Sequence, residues 1–279
     1  MAVGLKNKRK IVLELVIILI CLIWLLPVLI SFNSAFKSPS EFISGTLFDI
    51  PGKISIIDNI NYCFRNYGID KHLVSSLIYA LIGTIITILC SSMAGYGIVK
   101  LKPKFSFFLF FAIYAGTIFP FQMYLIPLSK MFYATGLYDT RWGMVLVYIA
   151  LTIPFATFVY RQVFVTIPDE IDEAAQIDGC GPYQAYLKIY MPQLGSATAV
   201  VALFQSTWIW NDLIFGMILS RRVEVRPVMV GVMIMSGQAG ANIPYLLSAV
   251  IVVSIPTILL FLFLRKYFIE GLSMVLAGD

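Results

Sequence analysis

The stretch DEIDEAAQIDGCGPYQAYLKIYMP, residues 169–192, decides how this chain is organised. Acidic side chains crowd its first half, at Asp169, Glu170, Asp172, Glu173 and Asp178. A charge at the centre of a membrane costs about 3 kcal/mol or more, so these side chains must lie in water. Apolar runs flank the stretch on both sides. It is therefore predicted to be an aqueous loop between two membrane spans.

The composition of the whole chain indicates a helical membrane protein. Of its 279 residues, 59% are hydrophobic and only 13% are charged, and the mean hydropathy is +0.88. A soluble domain carries about 25% charged residues. Apolar blocks of about twenty residues, the length that crosses the hydrocarbon layer as a helix, recur along the chain. A β-barrel would show short alternating segments instead. The predicted class is an all-α polytopic membrane protein.

Six transmembrane helices are predicted from these blocks, within a single transmembrane domain covering 1–279. The first span is about 11–32, which is too long for the apolar region of a cleaved signal peptide. The core spans lie within about 73–266, at about 73–99, 105–128, 142–167, 193–219 and 243–264.

The orientation of the chain rests on its basic residues. Four of them precede the first span: Lys6, Lys8, Arg9 and Lys10. By the positive-inside rule they place the N-terminus in the cytoplasm, and an even number of spans returns the C-terminus to the same side. Arginines at 221, 222 and 226 oppose this orientation, but the first span usually dominates. We therefore expect both termini and the 169–192 loop to be cytoplasmic.

The loop is predicted to form two short helices at the membrane surface. Asp169 can cap the first, whose acidic first turn suits the positive end of the helix dipole. Gly179 suits the left-handed position that ends such a helix. Pro182 can begin the second helix, and Pro192 is predicted to start the next span. A narrow apolar stripe recurs at helical spacing in the first helix: Ile171, Ala174, Ala175 and Ile177.

This loop resembles the EAA loop of the integral membrane permeases of ABC import systems. Glu173-Ala174-Ala175 is followed, at the spacing of that family, by Asp178-Gly179 and by Pro192. Three positions depart from the family pattern: Cys180, Tyr186 and Ser196. Because the spacing holds over the whole stretch, the resemblance is far more specific than an isolated EAA triplet.

Other segments are similar to the carbohydrate-uptake branch of the same family. They are FNSAFKSPSEF at 32–42, after the first span, and Trp210-Asn211-Asp212 in the fifth. The overall plan resembles the smaller permease subunit of maltose-type transporters, although the end of the chain, SMVLAGD at 273–279, departs from the usual tail of that branch. The resemblance implies a type I ABC importer permease fold with a cytoplasmic EAA coupling helix.

The function implied by this resemblance is that of a permease subunit in an ATP-binding-cassette importer. Such a chain moves a sugar or oligosaccharide delivered by an extracellular binding protein, in the plasma membrane of a prokaryote. The implied partners are a second, larger permease subunit, a dimer of ABC ATPases, the solute-binding protein and membrane lipid, without nucleic acid. The chain lacks a phosphate-binding motif, so ATP and magnesium are expected on the ATPase. No catalytic site, metal site or cofactor is expected in the chain, which would not be an enzyme.

In this family the EAA loop docks into a cleft on the ATPase. The resemblance assigns that coupling role to a set of loop residues: Glu170, Glu173, Ala174, Ala175, Asp178, Gly179 and Pro192. Glu173 would meet a basic or polar group, and the small residues would permit close packing. The alternative is that the acidic residues only solvate the loop.

Polar and aromatic residues also cluster in the fifth predicted span. The candidates for a substrate pathway are Gln205, Trp208, Asn211 and Asp212. Aromatic faces flanked by amides and carboxylates suit sugars, and an ionisable residue inside a span indicates a functional site. The alternative is an interfacial aromatic belt, with Asp212 paired to a neighbouring span.

Two other transport functions stay open at this point. One is a permease for another small solute. The other is an ion-coupled secondary transporter, which would show ionisable groups near the middle of the membrane and an internal repeat. Neither feature is clear in the sequence. An intramembrane enzyme would require a convergent nucleophile or metal set, and none is evident.

Overall fold

A computed structural model describes residues 2–237 and 243–276, with side chains placed for 10–237 and 243–266. The described residues form helices, turns and loops without a β-strand. Within them, helices long and apolar enough to cross a membrane are Lys10–Ala35, Ile69–Val99, Arg141–Thr166, Pro182–Trp210 and Ile243–Lys266. The all-α polytopic class predicted from the sequence is confirmed.

The chain divides into two compact units. The first contains 1–69 and 232–254, and the second contains 70–231 and 255–279. In the first unit lie α1 (Ala2–Ala35), which includes the predicted first span, α2 (Pro39–Ser44) and α3 (Ile56–Tyr67). The basic side chains at 6, 8 and 9 and the last three residues lie outside the described part.

Side-chain hydrogen bonds order the connection that follows α1. Ser38 and Glu41 form a capping box that begins α2, each side chain accepting from the backbone N–H of the other residue. Asn59 of α3 is buried and donates to the carbonyl oxygens of Ala35 and Lys37, at 3.0 and 2.9 Å. These bonds fix α3 against the end of α1.

The second unit contains most of the remaining helices. They are α4 (Ile69–Val99), α5 (Ser106–Ala115), α6 (Leu125–Thr135), α7 (Arg141–Thr166), α8 (Glu170–Ile177), α9 (Pro182–Ala185), α10 (Gly195–Trp210) and α11 (Ile214–Leu219). Two further helices have residues in both units. They are α12 (Val228–Gly237) and α13 (Ile243–Leu276).

The third predicted span, 105–128, is not one helix. α5 ends at Ala115, a 3₁₀ turn occupies Phe121–Tyr124, and α6 begins at Leu125. Pro120 stands between them in an extended conformation, with φ −56° and ψ 127°. Because proline disfavours helix at the residue before it, the helix that ended at Ala115 does not resume before Pro120. The predicted bounds are wrong for a single helix.

α4 and α7 approach each other closely in the second unit. The hydroxyl oxygens of Thr87 and Thr152 lie 2.6 Å apart, and both residues are buried. At Gly95, a Cβ would lie 3.0 Å from the Cβ of Tyr160, so a larger residue would force the helices apart. This contact brings the ends of both helices beside the 169–192 loop.

Candidate functional site

α8 is the short helix of the 169–192 loop, and its two ends differ from each other. At its end, Gly179 has a φ of +74°, the left-handed conformation predicted for this position. At its start, Asp169 occupies the N-cap position but makes no side-chain capping hydrogen bond. The predicted cap is therefore wrong, because two lysines engage this carboxylate instead.

A buried lysine holds the start of α8. The side chain of Lys100 is only 1% exposed, and its Nζ lies 2.7 Å from the carbonyl oxygen of Ile167. The same Nζ lies 3.2 Å from Asp169 Oδ1 and 3.2 Å from Asp172 Oδ2. The Asp172 carboxylate in turn accepts a hydrogen bond from the hydroxyl of Tyr190. We call these five residues the Lys100 cluster.

A second, exposed lysine adds to this contact. The Nζ of Lys102 lies 2.6 Å from Asp169 Oδ2, and both side chains are largely exposed. The hydrogen bond from Lys102, followed by that from Lys100, lowers the pKa of the Asp169 carboxyl below its usual value. Asp169 is therefore ionised at neutral pH and positions α8 electrostatically.

The second half of the loop differs from the prediction of a separate surface helix. From Pro182 to Trp210 the chain is one continuous helix. A π turn at Tyr186–Tyr190 and a 3₁₀ turn at Met191–Leu194 lie within it. Pro192 lacks a backbone N–H, and these two irregular turns accommodate it without ending the helix. The prediction that Pro192 starts the span is wrong.

An aromatic layer lies beneath α8. Tyr96 contacts the rings of Phe164, Tyr186 and Tyr190, with centroids 5.8, 5.4 and 5.3 Å away. The hydroxyl of Tyr96 also donates to the carbonyl oxygen of Pro182, at 3.0 Å. Buried residues of α4, α7, α8 and the 182–210 helix belong to this one core. α8 therefore rests on a packed surface.

The residues assigned to coupling, on α8 and after it, divide into buried and exposed positions. Ala175 is buried in the aromatic layer. The exposed residues of the set are Glu170, Glu173, Ala174, Asp178, Gly179 and Pro192. Ile177 is 86% exposed, so the predicted apolar stripe does not form one face. Among the described side chains, Glu170, Glu173 and Asp178 form no ion pair.

Sequence reasoning missed the role of Lys100, which it counted only as a charge in the linker after the second span. The signal was present, since a lysine that directly follows a span lay on the same predicted side as an acidic loop. It also missed the separation of Asp172, which faces inward, from the exposed Glu173.

The 205–212 segment contains a break in the fifth predicted span. α10 ends at Trp210 and α11 begins at Ile214, so 193–219 is not one helix. Asp212 is buried at this break and accepts from the hydroxyl of Tyr148, at 2.8 Å. It also accepts from the backbone N–H groups of Phe215 and Gly216, at 3.2 and 2.9 Å. Asp212 therefore caps α11 and ties it to α7.

The other pathway candidates occupy different environments. Gln205 is buried, and its Nε2 donates to the carbonyl oxygen of Thr152 at 3.4 Å. Asn211 is exposed, and its Nδ2 donates to the carbonyl oxygen of Thr207 at 2.8 Å. Trp208 is 42% exposed. Of the four candidates, only Trp208 and Asn211 therefore present side chains on the surface.

Two cavities meet at Trp208. One, of about 890 Å³, is lined by Trp208, Asn211 and Asp212 together with apolar residues of α10, α11 and the middle of α13. The other, of about 860 Å³, is lined by Gln205 and Trp208 with residues of the segment between α5 and α6. Phe121 and Phe204 line both cavities. These volumes suit small organic molecules, and their lining is mostly apolar.

The comparisons with known proteins agree with each other. Residues 83–272 match the model of the family described as "Binding-protein-dependent transport system inner membrane component". The chain is 28% identical to the arabinooligosaccharides transport system permease of Bacillus subtilis, over 95% of this chain and 94% of that protein. It is 30% identical to the trehalose transport system permease of Mycobacterium tuberculosis, over 89% of this chain and 90% of that protein.

A solved structure is similar over nearly the whole chain. It is a crystal structure of a bacterial ABC transporter involved in the import of the acidic polysaccharide alginate. The TM-score is 0.80 at 22% sequence identity, covering 94% of this chain and 97% of that one. This likeness confirms the predicted type I importer permease fold. The family consists of membrane components of transporters, so the chain is a transport subunit rather than an enzyme. By the match over 83–272, this chain belongs to the binding-protein-dependent transport system inner membrane components.

Proposed function

We propose that this chain carries a sugar or oligosaccharide across the membrane as one permease subunit of an ABC importer. The substrate class is supported by the similarity of most of the chain to permeases named for arabinooligosaccharides and trehalose. Trp208 and Asn211 support it, because an exposed indole and an amide beside a cavity of about 890 Å³ suit a sugar ring.

The energy for transport comes from a partner ATPase that docks on α8. The exposed face of α8 supports this assignment, since Glu170, Glu173 and Asp178 have no ion-pair partner among the described side chains. The side chain of Ile177, in the same segment as these carboxylates, is 86% exposed. An exposed apolar side chain in the same segment as unpaired carboxylates suits an apolar pocket with a basic rim. Ala174 and Gly179 lack bulk and allow close approach.

Within the pathway, Trp208 and Asn211 contact the sugar, while Gln205 and Asp212 hold the surrounding helices. The hydrogen bonds of Asp212 to Tyr148, Phe215 and Gly216 support this division, because they occupy its carboxylate oxygens. Asp212 is placed to shape the cavity rather than to bind in it.

The complete importer contains this chain, a second and larger permease, a dimer of ABC ATPases that binds ATP and magnesium, and an extracellular solute-binding protein. It lies in the plasma membrane of a prokaryote, with both termini and α8 in the cytoplasm. The first span supports this orientation through its basic N-terminal flank. As a single domain over 1–279, the chain supplies half of the membrane pathway.

Co-purification followed by reconstitution tests this function. We expect an ATPase and a second permease to purify with the tagged chain. With the solute-binding protein, proteoliposomes should accumulate labelled arabinotriose, maltotriose or trehalose only when ATP and magnesium are present. Purification without an ATPase would contradict the proposal. Uptake of a non-carbohydrate solute in place of all three sugars would favour the alternative of a permease for another small solute.

A further inference from the structure

We infer that Lys100 is the positioning residue that joins α8 to the membrane helices, so that α4, α7, α8 and the 182–210 helix move as one body. This inference rests on the proposed function, because it concerns how movement imposed on α8 by an ATPase reaches the membrane. It assigns a role to a residue outside the loop.

The first support is that Lys100 contacts three separate acceptors. Its Nζ donates to the carbonyl oxygen of Ile167 and to Asp169 Oδ1, at 2.7 and 3.2 Å, and forms an ion pair with Asp172 Oδ2 at 3.2 Å. Ile167 ends α7, Asp169 precedes α8, and Asp172 lies within α8. One buried charge therefore joins the end of α4 to two other elements.

The second support is that the 182–210 helix joins the same cluster. The hydroxyl of Tyr190 donates to Asp172, and the Nζ of Lys100 lies 5.8 Å from the centre of the Tyr190 ring. Tyr190 is itself fully buried. Movement of α8 away from the membrane helices would thus separate a buried ammonium from its carboxylate. Such a separation is strongly unfavourable, so the elements are expected to move together.

The third support is the contrast with the other lysines of the same linker. Lys102 is 63% exposed, and among the described side chains it forms an ion pair with Asp169 alone. Lys104 is exposed, and among the described side chains it forms no ion pair. All three lysines carry the same charge, but only Lys100 is placed between helices. Lys104 therefore provides a matched control for the loss of a lysine from this linker.

Spin-label distances in the complete transporter test the inference. Cysteines at Met93 on α4 and Gln176 on α8 are both at exposed positions and are introduced after replacement of the native cysteines. Their distance is measured without nucleotide and with ATP and magnesium, so no sugar is needed. We expect one narrow distance, equal in both states, for the parent protein and for Lys104→Met. In Lys100→Met, and in Lys100→Met with Asp172→Asn, we expect this narrow distance to be lost.

The double variant separates positioning from charge compensation. If Lys100 only neutralised Asp172, the double variant would regain the parent distance in both states, and the inference would be overturned. A change of distance with ATP in the parent protein would overturn it as well. If neither Lys100 variant assembles, Asp172→Asn removes the ion pair between Lys100 and α8, and an unchanged distance in this variant would overturn the inference. Absence of an ATPase from the purified parent complex would instead contradict the proposed function.

Discussion

Two groups of acidic residues, one at α8 and one at the break after α10, use their carboxylates differently. At α8, Asp169 and Asp172 contact Lys100. In contrast, Glu170, Glu173 and Asp178 are exposed and have no ion-pair partner among the described side chains. At the break, Asp212 is buried, and both of its carboxylate oxygens accept hydrogen bonds within the protein. A carboxylate whose oxygen atoms accept hydrogen bonds within the protein stabilises the fold. An exposed carboxylate without an ion-pair partner is available to another subunit.

This difference changes which residues are useful for functional tests. A transport defect after substitution of Asp212 would report on folding, since three donors would lose their acceptor. A defect after substitution of Glu173 would report on a partner, because no ion pair or side-chain hydrogen bond within the described protein would be lost.

Asp212→Ala should abolish uptake by destabilising the protein. It leaves the Tyr148 hydroxyl and two backbone N–H groups without their acceptor, at a cost of about 3 kcal/mol. The measurement is the unfolding temperature in detergent together with the yield of folded protein. Asn211→Ala serves as the control with unchanged stability. A variant that unfolds at the parent temperature would show that Asp212 does not hold α7 and α11 together.

Glu173→Lys should reduce uptake by at least about tenfold, because it places a positive charge against the proposed basic rim of the ATPase pocket. Its stability should change by less than about 0.5 kcal/mol, as for most exposed substitutions. The measurement is sugar uptake by proteoliposomes beside thermal unfolding of the same preparation. Glu173→Gln should give an intermediate loss. Normal uptake by the lysine variant would remove Glu173 from the coupling surface.

Gly179→Ala should reduce uptake several-fold through the backbone alone. Gly179 has a φ of +74°, and no atom lies within 4 Å of the position of an added Cβ. The expected cost is therefore the left-handed conformation, about 1 kcal/mol, rather than a clash. Asn tolerates this conformation better, so Gly179→Asn should retain more uptake than Gly179→Ala. Equal uptake by both variants and the parent would show that the turn after α8 has no influence on coupling.

Asn211→Ala should have the smallest effect. Its exposed amide is proposed to contact the sugar, so the half-saturating sugar concentration should rise by about two- to tenfold, the value of one hydrogen bond. The maximal rate and the unfolding temperature should stay unchanged. Uptake kinetics with the solute-binding protein check this result. An unchanged half-saturating concentration would remove Asn211 from the pathway.

Much of the fold could be predicted because long apolar blocks and a charged loop have few physical solutions in a membrane. The first span, the second, the fourth and the left-handed Gly179 agree with the structure. Two errors in helix bounds occurred at prolines, and a third, the break between α10 and α11, did not. Pro120 interrupts a predicted helix, whereas Pro192 lies inside one. Irregular π and 3₁₀ turns depend on how neighbouring residues pack around the helix. The periodicity of apolar residues in the sequence does not show this packing.

The position of the site could be predicted from the sequence, but not which of its acidic residues pair with Lys100 and which are exposed. The spacing of Glu173, Asp178 and Gly179 identified the loop. The sequence alone does not distinguish an acidic residue that faces the protein from an adjacent one that faces solvent. Asp172 and Glu173 point to opposite environments because α8 turns about 100° per residue against the aromatic layer. The role of Lys100 depends on contacts across the chain, with residues more than sixty positions away.

Whether an ATPase acts on the surface of α8 is tested most directly by a cross-link from position 177. In a chain without native cysteines, a cysteine at this 86% exposed position is treated with a short bifunctional reagent in the purified complex. A cysteine at Ile43 of α2, which is 64% exposed, is the control. We expect position 177 to cross-link to the ATPase and position 43 not to. An intact complex in which position 177 gives no ATPase cross-link, or in which position 43 gives an equal one, would contradict this expectation.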